Sequence, residues 1–238
     1  MTIIAKTRTP PLERHPSNLE PPLHVFGVLP FRGLTAPKSR LSDALSIGER
    51  RALALTLVRR TALALRAGGV ERVALVTFEE RVRDLDIEGC VETILQERPG
   101  LNRALRDGQE WALGAGADAL LIVLPDLPLL DAEDVRALLA AARPGQAVIA
   151  PDRHGEGTNA LLLSPPDAIA PAFGSGSAER HRSALALADI PTVDIARRGT
   201  SLDLDTPEDL AELLDLGHDW HEYLASSARL LEPVTHGD

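Results

Sequence analysis

Cysteine is nearly missing from this 238-residue chain, and Cys90 stands alone. A single thiol excludes an intramolecular disulfide and a zinc site built on cysteines, and it fits a reducing, cytoplasmic setting. Aromatic residues are scarce at 3%. The core must therefore be built from Leu, Val, Ile and Ala, and a groove paved with stacking platforms for a polymer is not expected. Positive charge is also short. Thirty-five acids against 25 Lys plus Arg give a net charge of −10, the opposite of a generic nucleic-acid binder. Small anions stay open as ligands, because local basic loops can hold them. No apolar run reaches the ~18 residues of a membrane span. Residues 1–23 lack the unbroken apolar stretch of a signal peptide and carry five prolines, Pro10, Pro11, Pro16, Pro21 and Pro22. They are expected to form a flexible lead-in.

From His24 onward, short apolar runs alternate with helical stretches. Strands are expected at 24–29, 72–78, 119–124, 147–150, 159–163 and 191–195. Helices are expected at 48–66, 101–113, 131–142 and 177–187, with a last core helix opening at Thr206 and a helical stretch in the tail at 220–231. Leu55, Val58, Ala62 and Leu65 form one helical stripe. The run ALLIVL at 119–124 is apolar at every position, as in a strand covered on both faces. Thr206 should cap the helix, Pro207 should take its first position, and Asp209 should return a capping bond. Strand–helix alternation predicts a three-layer α/β/α, Rossmann-like sandwich with a mostly parallel sheet.

In such sheets, ligands sit at the carboxyl ends of the strands. Asp126 directly follows the run at 119–124 and lies between Pro125 and Pro128. It can serve as a metal ligand or organise a turn. In Asp203-Leu204-Asp205, an extended backbone would turn both carboxylates to one face, toward one divalent cation. The triplet recurs at Asp84-Leu85-Asp86 without such context, and Asp205 can also set up the Thr206 cap. The loop RGLTAPKSRL at 32–41 holds Arg32, Lys38 and Arg40 and no acid, which suits a nucleotide's phosphates. It has neither the P-loop nor the GxGxxG spacing. In FGSGSAERHR at 173–182, Gly174 and Gly176 permit close backbone approach, and Ser177 is positioned to cap the next helix. Arg180, His181 and Arg182 add positive or switchable charge beside it. GEGTN at 155–159 offers Thr158 and Asn159. No HExxH, GxSxG or Cys/His pair points to hydrolysis.

These stretches, in this order, resemble the guanylyltransferases of coenzyme F-420 biosynthesis, the CofC/FbiD family. The likeness covers residues 24–215 and runs through VLPFRGLTAPKSRL, PGLNRAL, LLIVLPDLPLL, PDRHGEGTNALLL, FGSGSAERHRSAL and SLDLDTPEDL. That family is related to the MobA-like nucleotidyltransferases, whose fold is a Rossmann-like sandwich. The resemblance implies transfer of GMP from GTP to a phosphorylated three-carbon acid, with release of pyrophosphate. The acid would be phosphoenolpyruvate, 2-phospho-L-lactate or 3-phospho-D-glycerate. It also implies that Asp126, Asp203 and Asp205 hold Mg²⁺, with Asp126 and Lys38 as the catalytic groups. Thr158, Gly174 and Ser177 would bind the acid. Lys38, Arg40, Gly100 and Asn102 would face the nucleotide. The product would pass to a downstream transferase of the same biosynthesis. Residues 24–217 would form the nucleotidyltransferase domain, with 218–238 as a tail. A homodimer is left open, and no nucleic acid or membrane partner is expected.

The residue inventory suits this chemistry. A phosphate monoester has a second pKa of about 6, so the acceptor is already a nucleophile at neutral pH. The difficulty is joining two anions, which metal ions and basic donors relieve. The runner-up is another MobA-like enzyme, acting on molybdopterin or a sugar phosphate, but the Gly-rich LAGGxSxRxG opening of those enzymes is replaced here by FRGLTAPKSRL. A glycosyltransferase could use Asp203-Leu204-Asp205 with a nucleotide sugar, and a non-catalytic module could bind a nucleotide without turning it over.

Overall fold

The computed structural model describes residues 23–35 and 37–216. Most of the expected lead-in 1–23 and the whole tail 218–238 therefore lie outside the described residues. Seven strands form one sheet: β1 (Val25–Pro30), β2 (Arg72–Thr77), β3 (Glu92–Leu95), β4 (Ala119–Val123), β5 (Ala147–Pro151), β6 (Thr158–Leu163) and β7 (Thr192–Asp194). Their order is β3-β2-β1-β4-β6-β5-β7. The pairs β1–β2, β1–β4, β2–β3 and β5–β7 are parallel, whereas β6 runs antiparallel to both β4 and β5. The mostly parallel α/β architecture expected from the sequence is present, and one reversed strand interrupts it. That reversal matters for the site, because β6 begins at the edge where the other strands end.

The helices are α1 (Ile47–Gly68), α2 (Glu80–Arg83), α3 (Leu101–Gly114), α4 (Ala132–Ala141), α5 (Ser177–Leu187), α6 (Arg198–Ser201) and α7 (Pro207–Asp215). The short elements β3, α2 and α6 add to the sequence reading. Each is four residues long, too short to show a period. The strands alternate their side chains between two cores. Leu121 and Val123 of β4 face Leu55, Val58 and Leu65 of α1 and Val135 of α4. Leu120 and Ile122 face Leu105 of α3 and Leu185 of α5.

A third apolar cluster lies at the site's edge. Leu41 and Leu45 from the segment after β1 join Leu202 and Leu204, and Leu210 and Leu213 of α7. Leu202 and Leu204 are buried while Asp203 and Asp205 stay partly exposed, the alternation expected of an extended segment. The Thr206 cap also forms. Thr206 Oγ1 accepts from the Asp209 amide at 3.3 Å, and Asp209 Oδ2 accepts from the Thr206 amide at 2.8 Å. Arg153 pairs with that same Asp209, so the cap also anchors the segment after β5.

Candidate active site

Two rims meet at the carboxyl end of the sheet. On one, the loop after β1 folds back over a cleft of about 460 Å³ lined by Phe31, Arg32, Lys38, Arg40, Asp126 and Asp205. That volume lies in the range of small-molecule sites. Lys38 adopts the left-handed backbone region, with φ 46°, and its side chain is only 11% exposed. Its Nζ lies 3.1 Å from Asp205 Oδ1 and 3.6 Å from Asp126 Oδ2. Arg40 Nη1 approaches Asp205 Oδ2 at 3.6 Å from the solvent side. The Asp126 turn and the Asp203–Asp205 segment are tied through the backbone, since the Leu204 amide donates to the Asp126 carbonyl at 2.9 Å.

This corner holds an excess of negative charge. Asp126 and Asp205 face the Lys38 ammonium, Asp205 also meets the exposed Arg40, and Asp203 stands near both carboxylates with no cation paired to it among the described residues. Asp126 Oδ1 is buried and has no hydrogen-bond partner among the described residues. Burial, and next the Asp126 carboxylate, push the Asp203 carboxyl above the usual range. Both observations suit a further cation. Among the described residues, no three His, Cys, Asp or Glu side chains converge into a ready metal cage. With the orphaned Asp126 oxygen, the carboxylates present fit only a hard divalent ion that takes one or two of them and fills its remaining positions from water and substrate phosphates.

The loop over the cleft has a clamp that sequence reading missed. Glu79, just past β2, accepts through Oε2 from the amides of Leu34 and Thr35. Arg51 Nε donates to the Leu34 carbonyl at 2.9 Å. A Cβ at Gly33 would collide with Glu79 Oε2, so only glycine lets the carboxylate reach these amides. The partners lie on α1 and past β2, which is why the basic loop alone gave no sign of them.

The second rim is built from the segment before β6 and the turn before α5. Asp152 shapes the first of these. Its Oδ1 accepts from the amides of His154 and Glu156, both at 3.0 Å, and its Oδ2 accepts from Gly157 at 2.8 Å. The Ala178 amide at the start of α5 donates to the Glu156 carbonyl at 3.0 Å. This brings Thr158 and Ser177 to one corner. Both are buried, at 3% and 1% exposure. Ser177 does not cap α5. Gly176 takes the cap position with no side-chain bond, and Ser177 Oγ is buried without a partner among the described residues. Gly174 has φ 118°, a region that side-chain-bearing residues rarely adopt.

Three side chains hold this turn. Asn102 at the start of α3 donates through Nδ2 to the Phe173 carbonyl at 3.0 Å and accepts through Oδ1 from the Phe173 amide at 2.7 Å. Arg180 donates to the carbonyls of Ala172 and Ser175. His181 Nε2 accepts from the Ala172 amide at 3.0 Å. The side chain of Asn102, expected toward the nucleotide, is thus committed to the opposite rim. Gly100 stays exposed at the α3 cap position. His181, read from sequence as switchable charge, is fully buried. Burial, helped by the neighbouring Arg180 guanidinium, pushes it down to about 4, so it is neutral near pH 7. Arg182 pairs with Asp194 rather than facing the turn. Asn159 Nδ2 donates to the Thr200 carbonyl at 2.9 Å, a structural role.

A three-layer sandwich with a basic loop, an acidic corner and a hydroxyl-bearing turn at one end of its sheet is the architecture of a nucleotidyltransferase. A candidate nucleotide-diphospho-sugar transferase from Desulfovibrio desulfuricans shares the fold, with a TM-score of 0.70, 15% identity and coverage of 88% of this chain and 94% of that one. So does a Mycobacterium tuberculosis protein solved in complex with manganese, with a TM-score of 0.51, 18% identity and coverage of 81% and 98%. The family model described as "Guanylyl transferase CofC like" matches residues 25–231, and the chain belongs to this guanylyltransferase family. It is 43% identical over 189 residues to the phosphoenolpyruvate guanylyltransferase of Sphaerobacter thermophilus, covering 79% of this chain and 91% of that protein. It is 30% identical over 190 residues to the 3-phospho-D-glycerate guanylyltransferase of Colwellia psychrerythraea, covering 79% and 90%.

Proposed function

We propose that the chain transfers GMP from GTP to phosphoenolpyruvate and releases pyrophosphate, with 2-phospho-L-lactate and 3-phospho-D-glycerate as the acceptors to compare. The choice of phosphoenolpyruvate follows the relatives named for it, which include the one at 43% identity. The observation that carries the site assignment is Lys38, held between Asp126 and Asp205 at the mouth of the cleft. This supports placing the triphosphate at the loop after β1, with Lys38, Arg40 and the exposed backbone at Gly100 around it. Thr158, Gly174 and Ser177 take the acid on the other rim.

The acceptor's phosphate oxygen attacks the α-phosphorus of GTP, and pyrophosphate leaves. The nucleophile needs no protein base, because the second proton of a phosphate monoester is largely gone at neutral pH. Lys38 and Arg40 offset phosphate charge and align the leaving group. Thr158, Ser177 and the turn amides donate hydrogen bonds to the acid. One or two of the carboxylates Asp126, Asp203 and Asp205 would hold a divalent cation, Mg²⁺ in our reading, which when bound supplies charge neutralisation at the phosphates. The solved neighbour with manganese supports a divalent ion on this fold. No described helix is long and apolar enough to cross a membrane, in keeping with a cytoplasmic enzyme. Its product would feed a downstream transferase of coenzyme F-420 biosynthesis. The test is pyrophosphate release from GTP and Mg²⁺ with each acid in turn. Release that requires both GTP and one acid supports the reading, and release of a sugar from a nucleotide sugar instead refutes it.

A further inference from the structure

We propose that His181 is a positioning residue for the acceptor: its imidazole fixes the Thr158 hydroxyl as a hydrogen-bond donor to the acid while pinning the turn that carries Gly174. The inference rests on the assignment of Thr158 to the acceptor. It goes beyond that assignment by naming what sets the direction of the hydroxyl.

The two ring nitrogens have different partners. Nε2 lies 3.0 Å from the amide nitrogen of Ala172. A backbone amide can only donate, so Nε2 accepts and carries no proton. Nδ1 lies 3.0 Å from Thr158 Oγ1. In the neutral ring the single proton must then sit on Nδ1, which donates to Thr158. One lone pair of the Thr158 oxygen is thereby taken, and its own proton cannot point back at the ring. That proton is directed elsewhere, and no other side-chain partner of Thr158 exists among the described residues. A buried hydroxyl whose proton has no protein acceptor suits an anionic ligand.

Packing holds the ring in this tautomer. His181 is 0% exposed. Phe173 meets it edge-on, with ring centroids 4.9 Å apart, and Arg180 next to it disfavours a second proton. Ser177 stands four residues earlier on α5, on the same helix face, with its own buried hydroxyl unpartnered among the described residues. One helix thus carries a hydroxyl at Ser177 and, one turn on, the group that orients the hydroxyl of Thr158.

The test is a double-mutant cycle of Thr158→Val and His181→Gln, read as acceptor KM, GTP KM and melting temperature. The glutamine amide can still accept from Ala172, because its end overlays Nε2, but it offers nothing at the position of Nδ1. Each single change should raise the acceptor KM about tenfold, the scale of one hydrogen bond to a charged group. GTP KM should move little. The double variant should match Thr158→Val alone, because the histidine acts through that hydroxyl. His181→Asn, whose amide nitrogen overlays Nδ1, should recover part of the acceptor affinity despite losing the Ala172 bond. If His181→Gln multiplies the acceptor KM equally in both backgrounds, or raises GTP KM alike, the histidine is merely structural and the inference fails while the Thr158 assignment stands. If Thr158→Val leaves the acceptor KM unchanged, the assignment itself falls and takes the inference with it. A check independent of variants is long-range ¹H–¹⁵N NMR of the unmodified protein at neutral pH. It should show His181 protonated at Nδ1, and a proton on Nε2 would overturn the proposal.

Discussion

Asn102 and Phe173 are 71 residues apart in sequence, yet the side-chain amide of one brackets the backbone of the other, giving at 3.0 Å and accepting at 2.7 Å. Through this pair the start of α3, on the nucleotide side, holds the turn assigned to the acid. Asn102→Ala should therefore raise the acceptor KM several-fold, about the effect of one or two lost hydrogen bonds, and shift GTP KM less. Steady-state titration of both substrates checks this, and a rise confined to GTP KM would return Asn102 to the nucleotide.

Asp126→Asn should lower turnover at least ~10²-fold, the scale of one lost electrostatic contact in an active site. The fold should survive. The residue is partly exposed, and the change relieves its repulsion with Asp203, whose carboxyl it helps to push up. Turnover and melting temperature measured on one preparation separate the two effects. A near-normal rate at saturating Mg²⁺ would remove Asp126 from the metal ligands.

Gly174→Val should raise the acceptor KM while leaving GTP affinity nearly unchanged. Space is not the obstacle, since an added Cβ would meet only Arg180 Nη2, at 3.8 Å. The backbone is, because φ 118° is costly for a β-branched residue, so the turn must move and its amides move with it. Both constants should be measured in the one variant. A fall in GTP affinity with an unchanged acceptor KM would mean that the two halves of the site are reversed.

His181 predicts a pH signature in stability. Its value is pushed down from 6.5 to about 4, by burial first and by Arg180 second, while Thr158 and Phe173 offer no charge to offset this. The folded ring is neutral, and the unfolded one takes a proton once the pH falls below 6.5. Stability from this group is fully present above pH 6.5 and is lost between about 6.5 and 4, on the order of 3 kcal/mol in all. Urea midpoints across that window should fall less steeply for His181→Gln than for the unmodified protein. Equal slopes would contradict the buried neutral ring.

Much of this site could be read from the chain because its signals are local. ALLIVL followed by Asp126, the alternation around Asp203 and Asp205, and the Thr206 cap each depend on neighbours within a few residues. The triplet at 84–86 shows why context decides. Asp84 and Asp86 follow the short helix α2 rather than standing beside the Asp126 turn. What escaped the sequence depends on pairings across the fold. Glu79 reaches Leu34 from 45 residues away, and the reversal of β6 is a property of the sheet rather than of TNALLL itself. β3, at the sheet edge, is half-exposed and too short for a period to register. Ser177 was expected to cap α5 because serine often does. Gly176 takes the cap in the left-handed region, at φ 68°, and leaves the hydroxyl unpartnered among the described residues.

The most direct test of the account is the identity of the product made from GTP, phosphoenolpyruvate and Mg²⁺, read by mass spectrometry and ³¹P NMR. The account predicts one compound carrying GMP on the acid through a new phosphoanhydride, with one pyrophosphate released per product and none when either substrate is omitted. GTP left intact with all three acids, or GMP found on a sugar phosphate instead, would contradict it.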